Sequence, residues 1–300
     1  MDLSQEQQYA LELYKQRRNI FITGPGGSGK TKLIENFVNF TNAIGKKVQV
    51  CALTGCATLL LPKMCNARTI HSWSGIRLCK GENNKIVEIA LKSRKIKSNW
   101  RSVNVLIVDE VSMMSVKIFE VLDEIAKRAR CNNLPFGGIQ VIFSGDFYQL
   151  PPVSTPGDED TEKYCFESRL WPQLFPLSSI VVLKKIFRQT DPLYKEILLQ
   201  IREGHLSDKN DNILKSYLNR EFDSGRLHSN TCGAQRSENQ QGSPVREFTR
   251  SSRATSPSLN ILVDSYSSGS HRSLNEVCQN RIHDLKTNGA RKNTWRVMRL

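Results

Sequence analysis

Eight residues, Gly24-Pro25-Gly26-Gly27-Ser28-Gly29-Lys30-Thr31, restrict this chain to a small set of folds. The spacing GxxxxGK[ST] arises by chance in only about one chain in a hundred of this length. Here an apolar run over 19–24 leads into it, and a helical pattern over 29–44 follows, with Leu33, Ile34, Phe37, Val38 and Phe40 on one side and Gly45 as the stop. A strand that turns through glycines into a helix presents backbone N–H groups and the helix N-terminus to an anion. Gly24, Gly26, Gly27, Ser28 and Gly29 would therefore cradle phosphates. Lys30 would reach the β- and γ-phosphates, and the Thr31 hydroxyl would hold Mg²⁺. ATP and Mg²⁺ are the cofactors this reading expects; the bland alternative is a glycine turn without a ligand.

The rest of the first 223 residues supports an α/β, doubly wound parallel sheet. Residues 4–17 read as an amphipathic helix opened by a capping box, Ser4 with Gln7 three positions on. Strands are expected at 48–53, 103–109 and 139–144, the last two without polar alternation, as in strands covered on both faces. A helix over 115–130 separates them. A Pro-, Gly- and acid-rich loop fills 151–162, followed by a strand at 180–183 and helices near 191–203 and 207–222. Strand, helix and strand in alternation imply parallel pairing.

Two further clusters carry chemistry. Asp109-Glu110 ends the strand at 103–109, where a P-loop fold places its second Mg²⁺ ligand. Asp109 would bind the ion directly or through water, and Glu110 would act as general base for the attacking water. A solvated acidic pair, or a cap on the next helix, is the competing account. Gln149 follows a buried strand ending in Gly145-Asp146, which puts it at the carboxyl edge of the sheet. A glutamine there can sense the γ-phosphate and orient water; a turn stabilised by Asp146 and the prolines would also account for the stretch.

The eight cysteines form no CxxC pair and no zinc-spaced cluster, so they read as reduced thiols used as small apolar residues. No apolar run approaches the roughly 20 residues of a membrane span, and no signal or transit peptide opens the chain, so an intracellular location is expected, nucleus or mitochondrion in a eukaryote. The formal net charge of +14 points to a polyanionic partner. Half of that excess, +7, lies in residues 224–300, which limits what it says about the folded part.

The ordered set LSQEQ (3–7), GPGGSGKT (24–31), ALTGCA (52–57), TIHSWSGI (69–76), VLIVDEVSMM (105–114), GDFYQLPPV (145–153) and IFRQTD (186–191) resembles the Pif (petite integration frequency) family of superfamily-one DNA helicases, relatives of RecD. The resemblance covers about residues 3–222. It implies a RecA-like first lobe over 1–178 and the start of a second lobe over 179–223. It also implies ATP-driven 5′ to 3′ movement on single-stranded DNA, with duplex junctions as partners; the sequence leaves the oligomeric state open, with a monomer expected. Gln7 would read adenine, although capping its helix is a sufficient local role. Arg188 would be the arginine finger. Thr54, Gly55 and His71 would touch the single strand, and Trp73 and Phe147 are either base-stacking surfaces or core.

The pattern departs from the family after residue 223. Residues 224–300 hold 13 Ser, and 10 Arg against 2 Lys. They lack the two late motifs, one with Ser-Gln-Gly and one with Tyr-Val-Ala-Leu-Ser-Arg. The segment is expected to be a disordered, low-complexity tail or a non-native reading frame, leaving the second lobe incomplete. The alternative function is therefore a truncated isoform or fragment that binds ATP, and DNA with it, without unwinding. A nucleoside kinase is disfavoured because no Arg-rich lid follows Asp109-Glu110.

Overall fold

Residues 3–217 are described in a computed structural model of the chain; the expectations for 218–300 lie outside the described residues. The described residues form two units, 3–204 with the sheet and 205–217 with one helix, α10 (Asp208–Tyr217).

In the larger unit the order is α1 (Gln5–Lys15), β1 (Ile20–Thr23), α2 (Lys30–Ala43), β2 (Val48–Ala52), α3 (Gly55–Leu60), β3 (Arg68–Thr69), α4 (Ile70–Ser74), α5 (Asn83–Lys92), α6 (Arg94–Ser102), β4 (Val105–Asp109), α7 (Val116–Arg130), β5 (Gln140–Gly145), α8 (Trp171–Leu174), β6 (Ile180–Val182) and α9 (Pro192–Glu203). The six strands form one all-parallel sheet in the order β3-β2-β4-β5-β1-β6. This is the expected doubly wound RecA-like layer. β6 lies beyond residue 178, where the sequence division starts a second lobe, yet it pairs with β1 through Phe21↔Ile180 and Thr23↔Val182.

Alternate residues of the central strands enter two cores. Phe21, Leu106, Val108, Val141 and Phe143 face one side, under Val87, Phe119, Leu122 and Trp171. Ile20, Ile22, Val105, Ile107 and Ile142 face the other, against Leu13, Tyr14, Leu33, Ile34 and Phe37. Each such side chain taken from water contributes about 1.5–3 kcal/mol, which is why these strands read as unbroken apolar runs. The stretch 55–102 folds into four helices of 5 to 10 residues, too short for helical periodicity to stand out in the sequence.

The capping box at α1 is present: Ser4 Oγ accepts from the Gln7 amide at 3.3 Å, and Gln7 Oε1 accepts from the Ser4 amide at 3.0 Å. The six described cysteines are free, four of them buried. No described helix is long and apolar enough to cross a membrane.

Candidate nucleotide and DNA site

Parallel strands end on one edge, so the sheet order decides what meets there. β1 lies beside β5, and β5 beside β4, which brings the loop at 24–31, Gly145-Asp146 and Asp109-Glu110 together at adjoining carboxyl ends. Two glycines of the loop are required by close approach as well as by conformation. Gly27 has φ +79°, and a Cβ there would lie 2.6 Å from the Arg188 Cβ; at Gly29, with φ +87°, it would lie 2.5 Å from Gln7 Nε2.

Those contacts show what covers the loop. The Leu183 amide donates to Thr23 O, and the Phe187 amide donates to Gly27 O, each at 2.8 Å. The chain after β6 thus lies as a strap across the loop and places Arg188 beside it. The Arg188 side chain is exposed. On the other flank Gln7, buried to 3% exposure, donates from Nε2 to Ser28 O at 3.5 Å. One side chain therefore both caps α1 and borders the phosphate loop.

Lys30 Nζ donates to Gly24 O at 2.7 Å and Pro25 O at 3.1 Å. Burial lowers its pKa, while Asp146, Asp109 and Glu110 act in the opposite direction. Asp109 is 8% exposed and its Oδ1 is buried with no partner at hydrogen-bond distance; burial raises its pKa, while the nearby Ser144 hydroxyl and the Glu110 amide act in the opposite direction. A buried, unsatisfied carboxylate oxygen at this edge fits a hydrated divalent cation, since such an atom otherwise costs about 1–3 kcal/mol. Glu110 sits in the left-handed region at φ 57°, ψ 41°, a strained conformation for a side-chain-bearing residue. Burial and then the Asp109 charge raise its pKa, as suits a general base. Exposed Gln149 is held through its amide, which donates to Asp146 O at 2.8 Å.

Sequence reasoning missed the partner of Asp146. Its carboxylate, 1% exposed, is gripped by Arg202 of α9 through Nε at 2.7 Å and Nη2 at 2.8 Å. In the sequence Arg202 is merely a basic residue in a helix's last turn. Nothing local distinguishes it from a solvated charge.

The residues expected to meet DNA lie on the same edge, farther along. β2 pairs with β4 through Ala52↔Asp109 and with β3 through Ala52↔Thr69, so Thr54, Gly55 and His71 follow the ends of β2 and β3. Thr54 Oγ1 accepts from the Ala57 amide at 3.2 Å, capping α3 while its O–H stays free to donate. Gly55 is exposed with open space above it. Burial lowers the pKa of His71, so it would offer a phosphate an N–H rather than a full charge. The base-stacking alternative for Trp73 is corrected here: it is 2% exposed and packs on Trp100 with centroids 4.6 Å apart. Phe147 is half-buried and packs against Phe166 at 4.7 Å and Phe21 at 5.3 Å.

Known proteins share this fold. The chain is 38% identical over 218 residues to the ATP-dependent DNA helicase PIF1 of Saccharomyces cerevisiae, a match covering 71% of this chain and 24% of that protein. Among solved structures, a Pif1 helicase from Candida albicans aligns with a TM-score of 0.64 and 34% identity over 71% of this chain and 47% of that one. A Pif1 helicase from Bacteroides, in complex with ADP-AlF3 and ssDNA, aligns with a TM-score of 0.58 and 30% identity over 76% and 52%. The chain thus spans about a quarter of the yeast protein and about half of each solved chain. The sequence profile of the PIF1-like helicases matches residues 2–212, and with these relatives it shows that the chain belongs to the PIF1-like helicase family.

Proposed function

We propose that this chain carries the ATP-hydrolysing lobe of a DNA helicase, one that couples hydrolysis to 5′ to 3′ movement along single-stranded DNA in replication, repair, recombination or telomere maintenance. The observation that carries the reading is one shared sheet edge. The phosphate loop, Asp109-Glu110 and Gln149 lie at β1, β4 and β5, while Thr54, Gly55 and His71 lie at β2 and β3. A strand seated over β2 and β3 would share β4's neighbours with the nucleotide, which gives hydrolysis a short path to the DNA.

Each group has a task. Backbone amides of residues 26–31 and Lys30 would bind the phosphates, with Thr31 and Asp109 holding Mg²⁺, which neutralises phosphate charge when bound. Glu110 would take a proton from the attacking water, Gln149 would orient that water, and Arg188 would offset charge on the transferring group. Gln7 would contact the adenine side of the loop. The partners would be single-stranded DNA and duplex junctions, met by a monomer inside a DNA-holding compartment.

A second reading, ATP and DNA binding without unwinding, is favoured by the arrangement of the nucleotide residues, all of which belong to one sheet-bearing unit. Turnover of ATP with and without single-stranded DNA, beside strand displacement on 5′- and 3′-tailed duplexes, separates the two. The helicase reading expects DNA-stimulated turnover and displacement from the 5′ tail. Binding with weak turnover and no displacement selects the second reading, and failure to bind ATP rejects both.

A further inference from the structure

We infer that Arg202 is a positioning residue for Gln149, holding the γ-phosphate reader in place through the Asp146 carboxylate; this rests on the nucleotide site proposed above. The segment 146–149 has no regular structure of its own. Three of its contacts converge on Asp146: the Gln149 amide donates to the Asp146 carbonyl at 2.8 Å, the Tyr148 amide donates to Oδ1 at 3.2 Å, and Gln149 Nε2 lies 3.5 Å from Oδ2. The position of Gln149 is therefore set by where the Asp146 carboxylate is held.

Arg202 does the holding. Its fork makes the bidentate pair described above, which adds direction as well as strength. The guanidinium carbon also lies 4.2 Å from the Tyr148 ring centroid, so one planar group clamps both the acid and the ring flanking the reader. Asp146 is 1% exposed and the Arg202 side chain 15%. Stripped of Arg202, the carboxylate would be a buried charge without its fork. A carboxylate released from that fork would carry Gln149 out of place through the contacts above. Arg202 thus holds Gln149 in place from the last turn of α9.

The test measures dissociation constants of the full chain for ADP and for a non-hydrolysable ATP analogue, both with Mg²⁺, in wild type, Arg202→Ala, Arg202→Lys, Gln149→Ala and the Arg202→Ala/Gln149→Ala pair. Wild type is expected to prefer the analogue. Arg202→Ala should lower that preference at least about fivefold with ADP affinity kept, and the double variant should lose no more than Gln149→Ala alone, as for residues acting in one unit. Arg202→Lys keeps a cation against Asp146, and so the fold, but lacks the fork and the planar face; it should fall between. A purely structural role would weaken both nucleotides together. An unchanged preference in Arg202→Ala and Arg202→Lys, losses that multiply in the double variant, or a wild type without preference would overturn the inference while leaving the nucleotide site standing. A wild type that binds neither nucleotide would remove the proposed function, and this inference with it.

Discussion

The backbone N–H of Phe187 donates to the carbonyl oxygen of Gly27 at 2.8 Å, tying the strap after β6 to the middle of the phosphate loop. The two residues are far apart in the chain, and β6 brings them together by pairing with β1. That pairing, with the Phe187 bond, sets Arg188 beside the loop. The same closeness leaves no room on Gly27 for a side chain.

Gly27→Ala is therefore expected to destabilise the protein by about 1–3 kcal/mol, from left-handed strain combined with a 2.6 Å encounter with Arg188. Gly26→Ala should change stability by no more than about 0.5 kcal/mol, because nothing lies within 4 Å of a Cβ there. Thermal melting without nucleotide checks the pair. Equal losses at both positions would show that the strap does not press on Gly27.

Lys30→Ala should reduce ATP hydrolysis at least about 100-fold with the fold kept. The ammonium's partners are the carbonyls of Gly24 and Pro25, at a loop that water can reach. Circular dichroism beside steady-state turnover tests this; a variant that hydrolyses normally would take Lys30 out of the phosphate site.

Glu110→Gln separates binding from turnover and has a pH signature. Burial, reinforced by Asp109, raises the folded-state pKa of Glu110 above its ordinary value. The folded protein thus holds this proton to higher pH than the unfolded chain does. The associated stability is complete below the unfolded pKa and is lost as pH rises through the folded one. Glutamine removes that loss, so the variant should melt higher than wild type at neutral pH. The gap should close on acidification toward pH of about 4. ATP binding should persist while turnover drops at least about 100-fold. Wild-type turnover should fall with decreasing pH from above the usual carboxylate range. A gap that widens on acidification would refute the assignment.

Gln7→Glu tests the two roles of one side chain. Glutamate can still accept from the Ser4 amide, so α1 should keep its capping box, while the buried carboxylate left against Ser28 O should cost about 1–3 kcal/mol of stability. The donor to Ser28 O is lost, and a carboxylate then borders the phosphate loop. Nucleotide affinity should fall about tenfold or more; undiminished affinity would leave capping as the residue's whole role.

Trp73→Ala should cost about 3–5 kcal/mol, because the ring is 2% exposed against Trp100. Chemical denaturation measures it. A stable variant defective only in DNA binding would return Trp73 to a surface role.

What the sequence determined by itself was everything whose cause is local. The glycine spacing at 24–31, the capping box of Ser4 and Gln7, and the unbroken apolar runs that became β4 and β5 each depend on residues a few positions apart. The order of motifs also marked the family. Tertiary structure decided what meets across the sheet edge. Pairing of β6 with β1 carries Arg188 to Gly27, packing turns Trp73 inward, and α9 delivers Arg202 to Asp146 across 56 positions. A basic residue in a helix's last turn has the same local pattern whether it meets water or a buried carboxylate. Only the fold supplies the carboxylate.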